Sequence, residues 1–402
     1  KYDEGDENRK ESQLEDDDNN ESNTYSKAEE LSDVNIINSS GVIHKSNNNL
    51  TLSSGIVNES TSKKGEKGIF DSDMESLISK SYTNIGHELF LSHEKEFSKL
   101  IHNREVPEKG LKQETIKYIL STIALMDSNN GPNHIGIGER EGRVKSELVK
   151  QRHFSMIHGM GRSGNITDLQ PKATGSSLIA KLTNSLLKNF LHYIGLTFTK
   201  EVQLFPMATG MTLSLCYLTL KQMKPDAKYV IFPRIDQKTC LKSIITAGLI
   251  PIIIEPTVKE DLLTTNIDKI IEILAEFKQK DSIKEILCIA STTSCFAPRS
   301  MDSIQEISVL CKDFSISHII NNAYGIYCTK ITEEIKQSFK QGEVTCVVSS
   351  TDKNLLVPVG GAFIYSDKNS FIDKVCANYA GRASVSPIVD VFITLLEMGK
   401  LE

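Results

Sequence analysis

The chain has 402 residues, 39% of them hydrophobic, and a formal net charge of -6. That length suggests two or three domains and a sizeable core, while the acidic balance excludes a generally basic nucleic-acid binder and confines any nucleic-acid contact to a local patch. No apolar run approaches the roughly 20 residues that span a bilayer and no apolar signal core opens the sequence, so a soluble, cytoplasmic setting is expected.

Residues 1–68 are dominated by Asn, Ser, Asp, Glu and Lys, as in "EDDDNNESNTYSK". They carry too little apolar surface to offset ordering entropy, which predicts a disordered low-complexity segment. Residues 69–135 read as a helical segment, because Ile116, Ile119, Leu120 and Ile123 share one helical face within 114–126. Folded structure is expected to start there or one helix earlier. From residue 136 to 402 the pattern is that of a catalytic domain. "SSLIAKLTNSLLKNFLHYIG" from Ser176 repeats the apolar stripe and stops at Gly195, as a core helix does.

Six β-rich runs then alternate with helical patterns: "KYVIF" from Lys228, "LIPIIIE" from Leu249, "EILCIA" from Glu285, "SHIIN" from Ser317, "TCVVSS" from Thr345 and "GGAFIYS" from Gly360. The alternation predicts an α/β fold with a mostly parallel central sheet, flanking helices and reactive residues at the strands' C-terminal ends. The eight cysteines, Cys216, Cys240, Cys288, Cys295, Cys311, Cys328, Cys346 and Cys376, show neither C-x-x-C pairs nor zinc-like histidine spacing. They read as reduced core residues, and no metal site is expected.

In "CVVSSTDKNLLVPVGGAFI", Lys353 follows an apolar strand and is flanked by Ser350, Thr351 and Asp352. A lysine there is poorly placed for a surface salt bridge and well placed for a site. Ser350 and Lys353 also match the S-x-x-K of β-lactamase-type enzymes, but the partner motifs S-D-N and K-T-G are absent. The stronger reading is a Schiff-base lysine for pyridoxal 5'-phosphate (PLP), whose amine also shuttles the substrate's α-proton.

Two segments support it. Asn321, in "IINNAYG" with Ala323 and Tyr324, stands 32 residues before Lys353, where PLP enzymes of the aminotransferase fold (fold type I) place an acidic partner for the pyridine nitrogen. A neutral asparagine makes the ring a weaker electron sink, which suits β-elimination. Ala208, Thr209 and Gly210 open an apolar helix, whose N-terminal backbone N–H groups would cradle the cofactor phosphate.

Gly159, Gly161 and Gly164 match the dinucleotide fingerprint G-x-G-x-x-G, yet no helix pattern follows at once and no acidic residue sits about 20 positions on. The loop instead offers Arg162, Ser163 and Gln170 as donors to a phosphate. A second glycine loop carries Arg140 and Arg143 beside Glu139 and Glu141, and a third carries Arg382. Three such loops beside a PLP lysine point to a substrate that itself bears phosphate.

Taken together, "GIGEREGRV", "IHGMGRSGNITDLQPKATGSS", "PMATGM", "FPRIDQK", "STTSCFAPR", "NNAYG", "DKNLLVPVGGA" and "GRASVSP" resemble the O-phosphoseryl-tRNA(Sec) selenium transferase family, in order from about Gly131 to the end. The resemblance implies conversion of O-phosphoseryl-tRNA(Sec) to selenocysteinyl-tRNA(Sec), with selenophosphate as donor and a homotetrameric assembly. It implies that Lys353 carries PLP, that Gln237 touches its ring and that Arg140 lies beside it. It also implies that Arg162, Ser163, Gln170 and Arg382 hold the substrate phosphate, and that the asparagine at 321 is shared by the family. Glu139 becomes a candidate filter: free phosphoserine has an α-carboxylate that a nearby carboxylate repels, whereas the tRNA ester has none. The other reading of Glu139 is an ion-pair partner of a neighbouring arginine.

Two departures stand out. Only 49 residues follow Lys353, which predicts a truncated small domain and weakened tRNA binding. The polar N-terminal stretch stands where the family has helices for tetramer contacts and for gripping the tRNA. Rival readings are a PLP lyase acting on a free amino acid and a non-catalytic tRNA-binding scaffold.

Overall fold

Strands buried on both faces need near-continuous apolar runs, and the middle of this chain supplies them. The computed structural model describes residues 72–131, 142–162, 164–294, 296 and 298–401. Its nine strands are β1 (Glu201–Phe205), β2 (Tyr229–Pro233), β3 (Ile250–Ile254), β4 (Thr257–Lys259), β5 (Leu262–Thr264), β6 (Ile286–Thr292), β7 (Ser317–Asn321), β8 (Cys346–Ser350) and β9 (Ala362–Ser366). Seven form one sheet in the order β1-β9-β8-β7-β6-β2-β3, and β4 and β5 form a separate hairpin. Every residue of β6, β7, β8 and β9 is buried.

All six strand runs read from the sequence are strands of this sheet. Two features were not anticipated, the edge strand β1 and the small hairpin β4–β5. The contacts β3–β2, β2–β6, β6–β7 and β7–β8 are parallel, joined by crossovers that include Lys238–Thr246, Ile304–Asp313 and Thr329–Gln341. β9 runs antiparallel to both β8 and β1, because the short connection 351–361 turns the chain back rather than carrying it across the sheet. This is the α/β, mostly parallel architecture of the aminotransferase-like fold.

The stripe Ile116, Ile119, Leu120 and Ile123 lies on helix Gln113–Ala124 with every member at most 3% exposed. Helices Ser72–Leu77 and Lys80–Asn103 precede it. Helix Thr174–Tyr193 occupies the second predicted stripe, and Gly195 follows with φ 103°. These helical residues share one core with Val347, Val348 and Ile364 of the sheet, while Ile231, Ile254, Ile270 and Ile286 belong to a second, smaller apolar cluster.

The polar stretch 1–68, the loop holding Glu139, Arg140 and Glu141, and residues Ser163 and Cys295 lie outside the described residues. Cys216, Cys240, Cys288, Cys311, Cys346 and Cys376 are buried as expected, but Cys328 is exposed. It sits at the head of helix Thr329–Gln341, in the connection after β7 rather than on a core-facing stripe. Among the described residues no helix is long and apolar enough to cross a membrane.

Candidate active site

Of the six mutually parallel strands, β1, β2, β6, β7 and β8 lead into one crevice on the side of the sheet where their C-terminal ends lie, which is where an open α/β sheet places its ligand. The residues that follow those ends line a cavity of about 210 Å³. Ala208, Thr209 and Gly210 come after β1, Gln237 after β2, and Ser294 after β6. Asn321 closes β7, and Lys353 lies on the short helix Thr351–Leu355 after β8.

Local chemistry holds each group in place. Ser350 occupies the N-cap of the short helix and hydrogen-bonds Asp352. The Lys353 ammonium lies 3.2 Å from Asp352 Oδ2 and donates to Ser350 Oγ at 3.4 Å. The sequence reading made Lys353 a poor partner for a salt bridge; instead, adjacency on a single helical turn gives it one, with its side chain 47% exposed. Burial pushes the Asp352 carboxyl up, but the Ser350 hydrogen bond and the Lys353 ammonium outweigh it and hold the group below its ordinary range. Asn354 Nδ2 donates to the carbonyls of Ala323 and Ser350 at 2.9 and 2.7 Å, pinning the lysine's helix to the segment after Asn321.

Asn321 is 8% exposed. Its Nδ2 donates to Cys240 Sγ at 3.2 Å, and its Oδ1 is buried without a hydrogen-bond partner. A buried acceptor left open costs about 1–3 kcal/mol, so it marks where a donor belongs. Helix Thr209–Met223 presents its N-terminus to the same cavity, with no side chain capping it. Gly210 is required there because a Cβ would sit 2.3 Å from Thr239 Cγ2, on the next helix. Gln237 N-caps helix Lys238–Thr246 by accepting from the Thr239 backbone N–H at 3.1 Å.

The cavity thus gathers Ala208, Thr209, Gly210, Gln237, Asn321 and Lys353, which come from four separate stretches of sequence. It does not include Arg162, Gln170 or Arg382. Arg162 is exposed, and its backbone exchanges hydrogen bonds with Asn165 to close a turn around Gly164. After Gly164 the next helix begins only at Thr174, in keeping with the sequence reading against a dinucleotide loop. The Gln170 backbone N–H donates to Ser177 Oγ at 3.1 Å, beside the start of helix Thr174–Tyr193. Arg382 donates from Nη2 to the His158 carbonyl at 2.6 Å. Met160 and Ala383 exchange backbone hydrogen bonds, so two of the arginine loops lie side by side. Gly159, at φ 70°, allows this, since a Cβ there would stand 2.2 Å from the Ala383 carbonyl oxygen.

Sequence reasoning missed Thr239, Cys240 and Ser294. Thr239 and Cys240 open the helix after β2, and Ser294 follows β6, so the strand-end rule that singled out Lys353 could have found them. It also missed how the loop bearing Ser294 and Phe296 is anchored. Arg299 Nη2 and Asp302 Oδ1 form a buried ion pair at 2.6 Å, with Thr265 Oγ1 donating to Oδ1 at 2.6 Å and the Thr292 N–H to Oδ2 at 2.7 Å.

The family O-phosphoseryl-tRNA(Sec) selenium transferase, SepSecS, matches the chain over residues 126–402. The O-phosphoseryl-tRNA(Sec) selenium transferase of Dictyostelium discoideum is 53% identical over 304 residues, covering 75% of this chain and 62% of that protein. That of Caenorhabditis elegans is 42% identical over 311 residues, 77% of this chain and 64% of that protein. The chain therefore spans somewhat less than two thirds of these two relatives. The crystal structure of an archaeal O-phosphoseryl-tRNA(Sec) selenium transferase superposes with a TM-score of 0.77 at 34% identity, covering 82% of this chain and 74% of that one. On the span of the family match, these identities and the shared architecture, the chain belongs to the O-phosphoseryl-tRNA(Sec) selenium transferase family.

Proposed function

We propose that this chain converts O-phosphoseryl-tRNA(Sec) to selenocysteinyl-tRNA(Sec) in the cytoplasm, with selenophosphate as selenium donor and PLP as cofactor. The observation that carries the reading is the single cavity at the strand ends, lined by Lys353, by Asn321 with its buried, unpartnered Oδ1, and by the N-terminus of helix Thr209–Met223. Those three features suit an aldehyde, a ring nitrogen and a phosphate. Bound PLP would supply the electron sink that lets the substrate's Cα proton leave and its β-phosphate depart, opening the β-carbon to selenium.

The chain's own residues do the remaining work. Lys353 would bind the cofactor through its amine and move the Cα proton. Asp352 and Ser350 orient that amine. Asn321 Oδ1 would accept a hydrogen bond from the ring nitrogen, without the negative charge that would hold the nitrogen's proton firmly. Ala208, Thr209 and Gly210 would hold the cofactor phosphate by backbone N–H groups and the helix dipole. Gln237 would pack against the ring, and Arg140 would lie beside it.

The substrate phosphate is assigned to Arg162, Ser163, Gln170 and Arg382, and the filter against free phosphoserine to Glu139. Arg162, Gln170 and Arg382 do not line the Lys353 cavity of their own chain, so in this reading a second copy would deliver them, as the proposed homotetramer would allow. Phe296, Tyr324 and Val359, exposed apolar side chains lining that cavity, suit cover by another subunit.

The test is phosphate release from O-phosphoseryl-tRNA(Sec) by the purified, PLP-loaded chain. Release that requires Lys353 supports the reading. Spectrally verified PLP loading without any release refutes it.

A further inference from the structure

Cys240 sits in the first turn of helix Lys238–Thr246, 7% exposed, on the wall of the Lys353 cavity. Its Sγ receives the Asn321 Nδ2 hydrogen bond, while Asn321 Oδ1 is buried and open. A side-chain amide has one donating end and one accepting end, and its function depends on which way it is turned. The Asn321 backbone is held independently, its carbonyl accepting from the Thr293 N–H at 3.0 Å and from Thr293 Oγ1 at 3.3 Å. Rotation of the amide is thus left to the contact with Cys240.

We propose that Cys240 is a positioning residue: it anchors the donor end of Asn321, so that the carbonyl oxygen rather than the NH2 group meets the ring nitrogen of PLP. The inference rests on the assignment of PLP to this cavity. The two orientations have opposite consequences. A carbonyl oxygen meets a ring nitrogen favourably only when that nitrogen carries a proton, whereas an NH2 group favours the bare nitrogen. A neutral asparagine can therefore keep the ring protonated if a neighbour fixes its rotation, and Cys240 is that neighbour. The charged groups on the cavity wall, Lys353 and Asp352, pair with each other.

The full chain, loaded with PLP labelled with 15N in the ring, tests this by the ring-nitrogen NMR shift and by PLP affinity. Cys240→Ser should leave both near wild type, because a hydroxyl also accepts from Nδ2. Cys240→Val should move the ring nitrogen towards the unprotonated shift and weaken PLP binding about tenfold, the effect of one orienting hydrogen bond. Asn321→Ala should abolish the effect of Cys240→Val on the shift. Should Cys240→Val fail to fold, Cys240→Ala is read the same way. An unchanged shift in the folded apolar variant overturns the proposal, as does an equal effect of Cys240→Val with and without Asn321. A wild-type chain that takes up no PLP, or is labelled by borohydride away from Lys353, overturns the cofactor assignment and the proposal with it; a wild type labelled at Lys353 leaves any failure to Cys240 alone.

Discussion

The carboxylate of Asp352 holds the ammonium of its neighbour Lys353 at 3.2 Å, on the wall of the cavity where the parallel strands end. This pair orients the amine on which the proposed chemistry depends. Lys353→Ala removes both the point of cofactor attachment and the base for the Cα proton. Turnover should fall by at least about 10²-fold, the low end of what a positioned base supplies, with the thermal unfolding midpoint retained. Phosphate release from O-phosphoseryl-tRNA(Sec) measures it, and a variant within about tenfold of wild type would show that another group does this work.

Arg162 and Arg382 lie outside the Lys353 cavity, on two loops joined through Met160 and Ala383. Replacing either by Ala should lower use of the phosphoseryl substrate by about a hundredfold, as loss of a charged hydrogen-bonding pair does, while PLP still binds. Absorption of lysine-bound PLP and phosphate release together read the two effects. Loss of PLP from a folded Arg162→Ala chain would mean that the cofactor and substrate phosphates have been exchanged.

The Arg299–Asp302 pair is nearly sealed, with side chains 6% and 0% exposed. Arg299→Met keeps much of the volume but leaves a buried carboxylate unpaired, a loss that costs about 3–5 kcal/mol. Urea unfolding should show a lower midpoint at unchanged slope. An unchanged midpoint would mean that the hydrogen bonds from Thr265 and the Thr292 N–H suffice for Asp302.

His318 is buried in β7, its Nε2 within 2.7 Å of Ser291 Oγ, and burial pushes its pKa down from 6.5 to about 3. The unfolded chain therefore takes up a proton below pH 6.5 that the folded chain refuses until about pH 3. Stability from this residue is complete above pH 6.5 and is lost progressively as the pH falls through that window. Between pH 7.5 and pH 5 the loss should be about 2 kcal/mol, and His318→Gln should remove that part of the slope. Equal pH dependence in wild type and variant would assign acid sensitivity to the carboxylates instead.

The order of the catalytic domain was legible because its signals are local. Each buried strand announces itself as a short apolar run, and helix Thr174–Tyr193 as a stripe ending in glycine. Lys353 and Asn321 could be matched from sequence because both stand at strand ends in one repeated βα pattern. Strand β1 escaped because Gln203 interrupts "EVQLF"; it is buried at 3% exposure only because Asn184, on another element, donates to its Oε1 at 3.0 Å. A buried polar residue reads as a loop until its partner is known.

By itself the sequence determined the fold class, the run of strands and helices, and the chemistry on offer at each strand end. Only the tertiary structure decided which of those groups share a space. It placed Cys240 against Asn321, 81 residues away, and turned the amide's donor end to the thiol. It set Cys328 at an exposed helix head, although its composition matches that of the buried cysteines. It also laid the arginine loops of 162 and 382 side by side yet outside the Lys353 cavity. Side-chain pattern is a property of neighbours along the chain, whereas these placements depend on backbone pairing across the sheet, which no local pattern encodes.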